Sequence, residues 1–194
     1  MNLESEILIA CEESGEVRRA FTRLGFVNVW SCDLQPARDG SDQHMIVDAT
    51  DVLRGVGWDM IIGFPPCTYL CASGARWRVG NPERQAKTAA AIEFVKTLYN
   101  AAPLVAIENP VGRLSTAWRK PDQYVQPWMF GHGYTKKTGL WLKGLPLLQP
   151  TNIVPVTMPG HIHRQSPGPE RARIRSLTPT GLADAMAQQW SKAL

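Results

Sequence analysis

Cys67 ends the stretch Met60-Ile61-Ile62-Gly63-Phe64-Pro65-Pro66, an apolar run that two prolines bring to a halt. A cysteine behind such stiff backbone has three readings: a small core residue, a metal ligand, or a nucleophile held in place. Glu108 ends a second apolar run, Leu104–Ile107, and is followed by Asn109 and Pro110. Further acidic or polar residues follow other short apolar runs. Cys11-Glu12-Glu13-Ser14-Gly15 comes after Ile7–Ala10, Asp33 after Val27–Cys32, and Asp48 after His44–Val47. Each carboxylate alone reads as an ordinary helix cap or turn residue. Together they mark one rim, provided the runs are parallel strands, because open α/β sheets bind ligands at the carboxyl ends of their strands.

The order of elements supplies that condition. Ile7–Ala10 reads as a buried strand. Val17, Ala20, Phe21 and Leu24 follow at helical spacing, with Gly25 as the stop. Val27–Cys32 gives a second strand, His44–Asp48 a third and Trp58–Phe64 a fourth. Asn81 and Pro82 open a long alanine-rich helix, proline suiting the first helical position. Leu104–Ile107 is a fifth strand and Gly139–Leu142 a sixth, and Thr180–Leu194 closes the chain as an amphipathic helix. Strands alternating with helices predict an α/β fold, a doubly wound, mostly parallel sheet. Trp118, Trp128 and Trp141 read as packing aromatics. Val154–Pro179, rich in proline, histidine and arginine, reads as an irregular basic loop.

The chain has 194 residues, a formal charge of +4, 44% hydrophobic and 20% charged residues. That is ordinary for one globular domain with its own core. The positive balance tilts toward a polyanionic partner where the charge is concentrated, as it is in the basic loop. The four cysteines lack the spacing of a disulfide framework or a structural zinc site, so they read as free thiols. With a polar N-terminus and no apolar stretch of membrane-spanning length, the expectation is a soluble, cytoplasmic protein without membrane contact.

The first loop narrows the cofactor. Its single glycine, Gly15, does not make the phosphate-cradling GxGxxG pattern. Glu12 and Glu13 repel pyrophosphate, which favours a positively charged, phosphate-free nucleoside, S-adenosylmethionine, over NAD or ATP. Asp33 has the place and chemistry to accept both ribose hydroxyls, and Asp48 to accept from the adenine amine.

From Ile9 to Asn109 the series Ile9-Ala10-Cys11-Glu12-Glu13-Ser14-Gly15, Asp33, Asp48, Gly63-Phe64-Pro65-Pro66-Cys67 and Ile107-Glu108-Asn109 resembles the cytosine-5 DNA methyltransferases, especially short phage and prophage members. The resemblance implies a Rossmann-like S-adenosylmethionine-dependent methyltransferase fold with Cys67 as nucleophile and Glu108 as the carboxylate that holds the base. It implies S-adenosylmethionine held by Cys11, Glu12, Ser14, Gly15, Asp33, Asp48, Ala49 and Pro66. The partner is DNA, with the target cytosine flipped out of its stack. DNA contacts are expected from Ser73, Arg76 and Arg78 after the cysteine loop, from Lys137, and from Arg171, Arg173 and Arg175. Nearby cations or loop N–H groups are expected to lower the Cys67 pKa.

The chain departs from that family in five respects. Pro65 is an extra proline, Thr68 replaces a glutamine, and Pro110 replaces a valine. The arginine of the base-contacting strand is missing, and Lys137 is the cation offered near it. A full target-recognition domain is missing as well, and the basic loop, or a protein partner, stands in its place. The double proline also admits an amino-methyltransferase acting on adenine N6 or cytosine N4, whose Pro-Pro motif carries a polar residue before it and an aromatic after. Those positions are Phe64 and Cys67 here. A third reading is a catalytically inactive relative that binds DNA or cofactor, which has no need of Cys67 and Glu108.

Overall fold

The computed structural model describes the chain at all residues but 56, 75–78, 163, 167 and 169, and at 170 and 172 it describes the backbone alone. Among the described residues seven strands form one sheet: β1 (Ile7–Ala10), β2 (Val29–Asp33), β3 (His44–Ile46), β4 (Met60–Gly63), β5 (Leu104–Pro110), β6 (Gln123–Val125) and β7 (Thr138–Lys143). Their order is β3-β2-β1-β4-β5-β7-β6. The first five are parallel, and β7 runs antiparallel to both β5 and β6. The α/β, mostly parallel arrangement matches the expectation.

β1 and β4 are buried along their whole length, the signature of strands covered on both faces. Their side chains divide between two cores with the two-residue period of a strand. Ile7, Ile9, Met60 and Ile62 join Phe21 of α1 (Glu16–Arg23) and Met186 and Trp190 of α6 (Thr180–Trp190). Leu8, Ala10 and Ile61 join Ile92, Val95 and Leu98 of α3 (Pro82–Asn100) on the other face. Asn81 caps α3 by accepting from the Arg84 N–H at 2.9 Å, with Pro82 at the first helical position. Trp141 is wholly buried, donates its indole N–H to the Arg119 carbonyl at 2.8 Å and stacks on Trp118.

Several boundaries differ from the sequence reading. Val27 is exposed and pairs with the Leu3 carbonyl outside the sheet, so β2 starts at Val29. β3 stops at Ile46 because Asp48 caps a short α2 (Ala49–Val52). β5 runs on through Glu108 and Asn109, which therefore sit in a strand paired with β7 rather than in a loop. The three-residue edge strand β6 and the four-residue α4 (Leu114–Ala117) were not foreseen. Val154–Pro179 is not wholly irregular: Glu170–Ser176 forms a helix, α5, carrying the arginines. Among the described residues no helix is long and apolar enough to cross a membrane.

Gly15 starts α1 with a φ of 69°, a conformation that costs other residues about 1–2 kcal/mol. A Cβ there would also lie 2.7 Å from Asp39 Oδ2 and 2.8 Å from Arg18 Nη2. Arg18 is almost fully buried, bonded to Ser31, Ser41 and Asp39, and fastens the β2–β3 connection to α1. Gly15→Ala is therefore expected to lower unfolding free energy by about 1–2 kcal/mol, read as an earlier urea midpoint at unchanged slope.

Candidate active site

Three loops meet where β2, β1 and β4 end. Cys11 leaves β1 with φ 60°, a left-handed conformation uncommon outside glycine. That turn lets the Glu12 N–H donate to the Cys32 carbonyl at 3.1 Å, tying the first loop to β2. The Cys11 thiol is pushed up by burial, then by Cys32, Asp33 and Asp48, which places both acidic strand ends around it. Glu12 is buried, and its Oε1 accepts from the Ser14 hydroxyl at 2.7 Å and the Val17 N–H at 3.0 Å. Its Oε2 is buried without a partner, and burial raises the carboxyl above its usual range. Asp33 Oδ1 accepts from the Gln35 N–H at 2.9 Å. Asp48 Oδ1 accepts from the Thr50 N–H and hydroxyl, a cap role that the sequence also allowed, and Ala49 behind it is buried.

The double proline has a physical account here. Phe64 makes the last ladder bond of β4, its N–H donating to the Ala10 carbonyl at 2.9 Å. The next two residues carry no N–H, so the chain leaves the sheet without orphaned donors. Buried Asn109 donates from Nδ2 to the Pro65 carbonyl at 2.8 Å and pins the loop to β5. Pro66, at φ −53° and ψ 122°, then turns the chain into a 3₁₀ turn over Cys67–Tyr69. Cys67 is thereby exposed at the head of that turn.

Glu108 reaches the same rim from β5. Burial holds its carboxyl above the ordinary glutamate range, opposed by Lys136 and by a hydrogen bond from Thr138. Lys136 Nζ lies 4.0 Å from Glu108 Oε1. Glu108, Lys136 and Thr138 line a pocket closed by Gln126, Thr178 and Leu182. The Cys67 thiol is not lowered, contrary to the expectation from sequence. Although the residue is exposed, protein atoms around its sulfur desolvate it, and Cys71 and Glu108 push it further up. Lys136 and Arg175 pull it down without prevailing.

The cations also fall differently from expectation. Lys137 lies over the Tyr124 ring, 4.4 Å from its centroid, while Lys136 takes the place beside Glu108. Alternation explains this: Lys136 and Thr138 share one side of the strand's approach and Lys137 takes the other. Arg173 of α5 pairs with Glu13 at 3.3 Å, and Arg38 bonds both Glu13 and the Arg173 carbonyl. α5 therefore lies against the first loop, with Arg175 close enough to Cys67 to act on its thiol. Arg171, on the same helix, is half-buried. Ser73 is exposed, its hydroxyl 3.1 Å from Cys71 Sγ. Arg76 and Arg78 lie outside the described residues. Sequence reasoning missed Arg38, Lys136 and the clamp made by Asn109.

No protein-family model matches the chain, and no curated protein matches it. Among solved structures it is similar to one from E. coli described as a candidate DNA modification methyltransferase encoded within a prophage. The two share 15% identity at a TM-score of 0.50, over 78% of this chain and 52% of that one. The chain thus spans about half the length of that protein, and the likeness establishes its fold, the Rossmann-like fold of methyltransferases.

Proposed function

We propose that the protein is an S-adenosylmethionine-dependent DNA methyltransferase that modifies carbon 5 of cytosine through a covalent bond to Cys67. The observation that carries this reading is the pairing of an exposed cysteine and a protonation-prone glutamate at adjacent strand ends, joined by the Asn109–Pro65 clamp. The fold shared with the E. coli prophage protein supports a DNA-modifying methyltransferase as the wider class. Binding alone would not call for a nucleophile on so constrained a mount.

The residues fit the cofactor. Among the described residues no donor reaches buried Glu12 Oε2, which leaves it an acceptor awaiting a donor. Asp33 and Asp48 flank that loop as ribose and adenine acceptors. Cys11, Ser14, Ala49 and Pro66 complete the surround. Bound there, the cofactor supplies an electrophilic methyl group on a sulfonium.

The chain's own groups prepare the base. Cys67 Sγ adds as thiolate to carbon 6, which makes carbon 5 nucleophilic. Glu108, whose protonation is favoured by burial, donates in its protonated form to N3 as negative charge develops on the ring, and accepts from the exocyclic amine. Lys136 stands beside Glu108, where it offsets charge on either partner. After transfer, a water molecule takes the carbon-5 proton, the double bond re-forms with expulsion of Cys67 as thiolate, and N3 returns its proton to Glu108. Glu108 and Cys67 also suit each other electrostatically. A protonated Glu108 no longer adds to the desolvation and the Cys71 influence that raise the thiol, so its protonation eases ionisation of Cys67.

Phe64 packs against the core and the Pro65 carbonyl is already bonded to Asn109, so neither stands ready to accept a target amine. Incubation with radiolabelled cofactor and duplex DNA, followed by nucleoside analysis, should place label in 5-methylcytosine. Label in N6-methyladenine or N4-methylcytosine would overturn the reading.

A further inference from the structure

A groove separate from the Glu108 pocket lies between the Cys67–Tyr69 turn and the first turns of α3, lined by Tyr69, Asn81, Glu83, Arg84 and Lys87. None of these residues was expected to contact a ligand. Arg84 lies over the Tyr69 ring at 5.2 Å, and Lys87 Nζ lies 6.0 Å from the same centroid. The groove is fastened to the nucleophile's turn: Arg84 Nη2 donates to the Thr68 carbonyl at 3.1 Å, and the Thr88 hydroxyl to the Tyr69 carbonyl at 3.3 Å. Anything held by Arg84 and Lys87 is therefore held in fixed register with Cys67.

Its chemistry is selective. Two cations face one carboxylate, Glu83, which pairs with Lys87 at 2.6 Å. That pair is exposed to solvent, where ion pairs are weak, so an incoming anion displaces Glu83 from Lys87 at small cost. The guanidinium fork suits phosphate oxygens, and stacking on Tyr69 orients it. The groove is open and polar, without the apolar enclosure that a small molecule needs. It suits a segment of charged polymer that remains partly solvated.

We propose that this groove is a phosphodiester subsite, in which Arg84 and Lys87 grip the nucleic-acid backbone beside the nucleotide presented to Cys67. The inference rests on the reading of the protein as a DNA methyltransferase. Its contribution is to position the strand, not to read sequence.

The test is the salt dependence of duplex binding, followed by fluorescence anisotropy of a labelled oligonucleotide, for wild type, Lys87→Ala and Glu83→Gln. Both residues are exposed, and an unchanged melting temperature confirms that each variant is folded. Lys87→Ala should weaken binding several-fold and reduce the slope of log K against log salt by about 0.9, the value of one lost phosphate contact. Glu83→Gln should tighten binding, because Lys87 is then unopposed. Opposite signs from two neighbouring surface residues are not what a structural role produces. Wild-type binding that neither variant alters would overturn the subsite and leave the methyltransferase reading standing. Absence of wild-type binding to any DNA would overturn both. Inorganic phosphate displacing the oligonucleotide at constant ionic strength from wild type, but not from Lys87→Ala, would assign the groove to free phosphate and overturn the backbone assignment.

Discussion

Cys67→Ser is expected to abolish methyl transfer, by about a thousandfold or more, the scale on which enzymes lose activity with their nucleophile. Serine keeps the size of the side chain and the backbone of the turn, but its hydroxyl does not ionise in this setting. Even the thiol is raised here by desolvation, Cys71 and Glu108. Because residue 67 is exposed, melting temperature and cofactor affinity should stay at wild-type values. Wild type should form an adduct with DNA containing 5-fluorocytosine that survives denaturing electrophoresis. Fluorine at carbon 5 blocks the elimination that would release the cysteine. The serine variant should form none. Retained activity in that variant would sink the covalent mechanism and return the amino-transfer alternative to the front.

The centre of the parallel half, β1, β4 and β5, was legible in the sequence because strands buried on both faces are written as near-continuous apolar runs. A polar residue closing such a run marks the rim, which is how Cys67 and Glu108 were found, while Asp33 and Asp48 follow from the alternation of strands with helices. What the sequence withheld is tertiary. β6 has three residues and takes its pattern from β7, so no periodicity announces it. α5 is held by Arg173 on Glu13, partners far apart in the chain, and its arginines read as a loop when only neighbours are counted. The exchange of Lys137 for Lys136 was within reach: Thr138 faces Glu108, and the residue two before it shares its side. The thiol's upward shift was not, because it comes first from desolvation by surrounding protein atoms, then from Cys71 and from a Glu108 brought near by strand pairing. The extra proline, unexplained as a motif, becomes intelligible once Asn109 is seen bonding its carbonyl.

Glu108→Gln should separate the catalytic role of this carboxyl from its cost to the fold. Glutamine keeps the shape, but its amide cannot pass a proton to N3, so methyl transfer should fall by about 10²- to 10⁴-fold, the usual reach of a positioned acid or base. Stability should move the other way with pH. Burial raises the folded-state pKa of Glu108 above its unfolded value. Between those two values the native protein holds more protons than the unfolded chain, so wild-type stability declines as pH rises through that window. The variant lacks this decline, and its melting temperature should equal or exceed that of wild type at neutral and mildly alkaline pH. A third readout is independent of DNA. Glu108 is one of the groups raising the Cys67 thiol, so iodoacetamide should alkylate Cys67 at lower pH in the variant. Assigning that alkylation to Cys67 by peptide mapping excludes Cys71. An unshifted alkylation profile, together with unchanged methyl transfer, would remove Glu108 from the site and leave it a buried carboxyl balanced by Lys136 and Thr138.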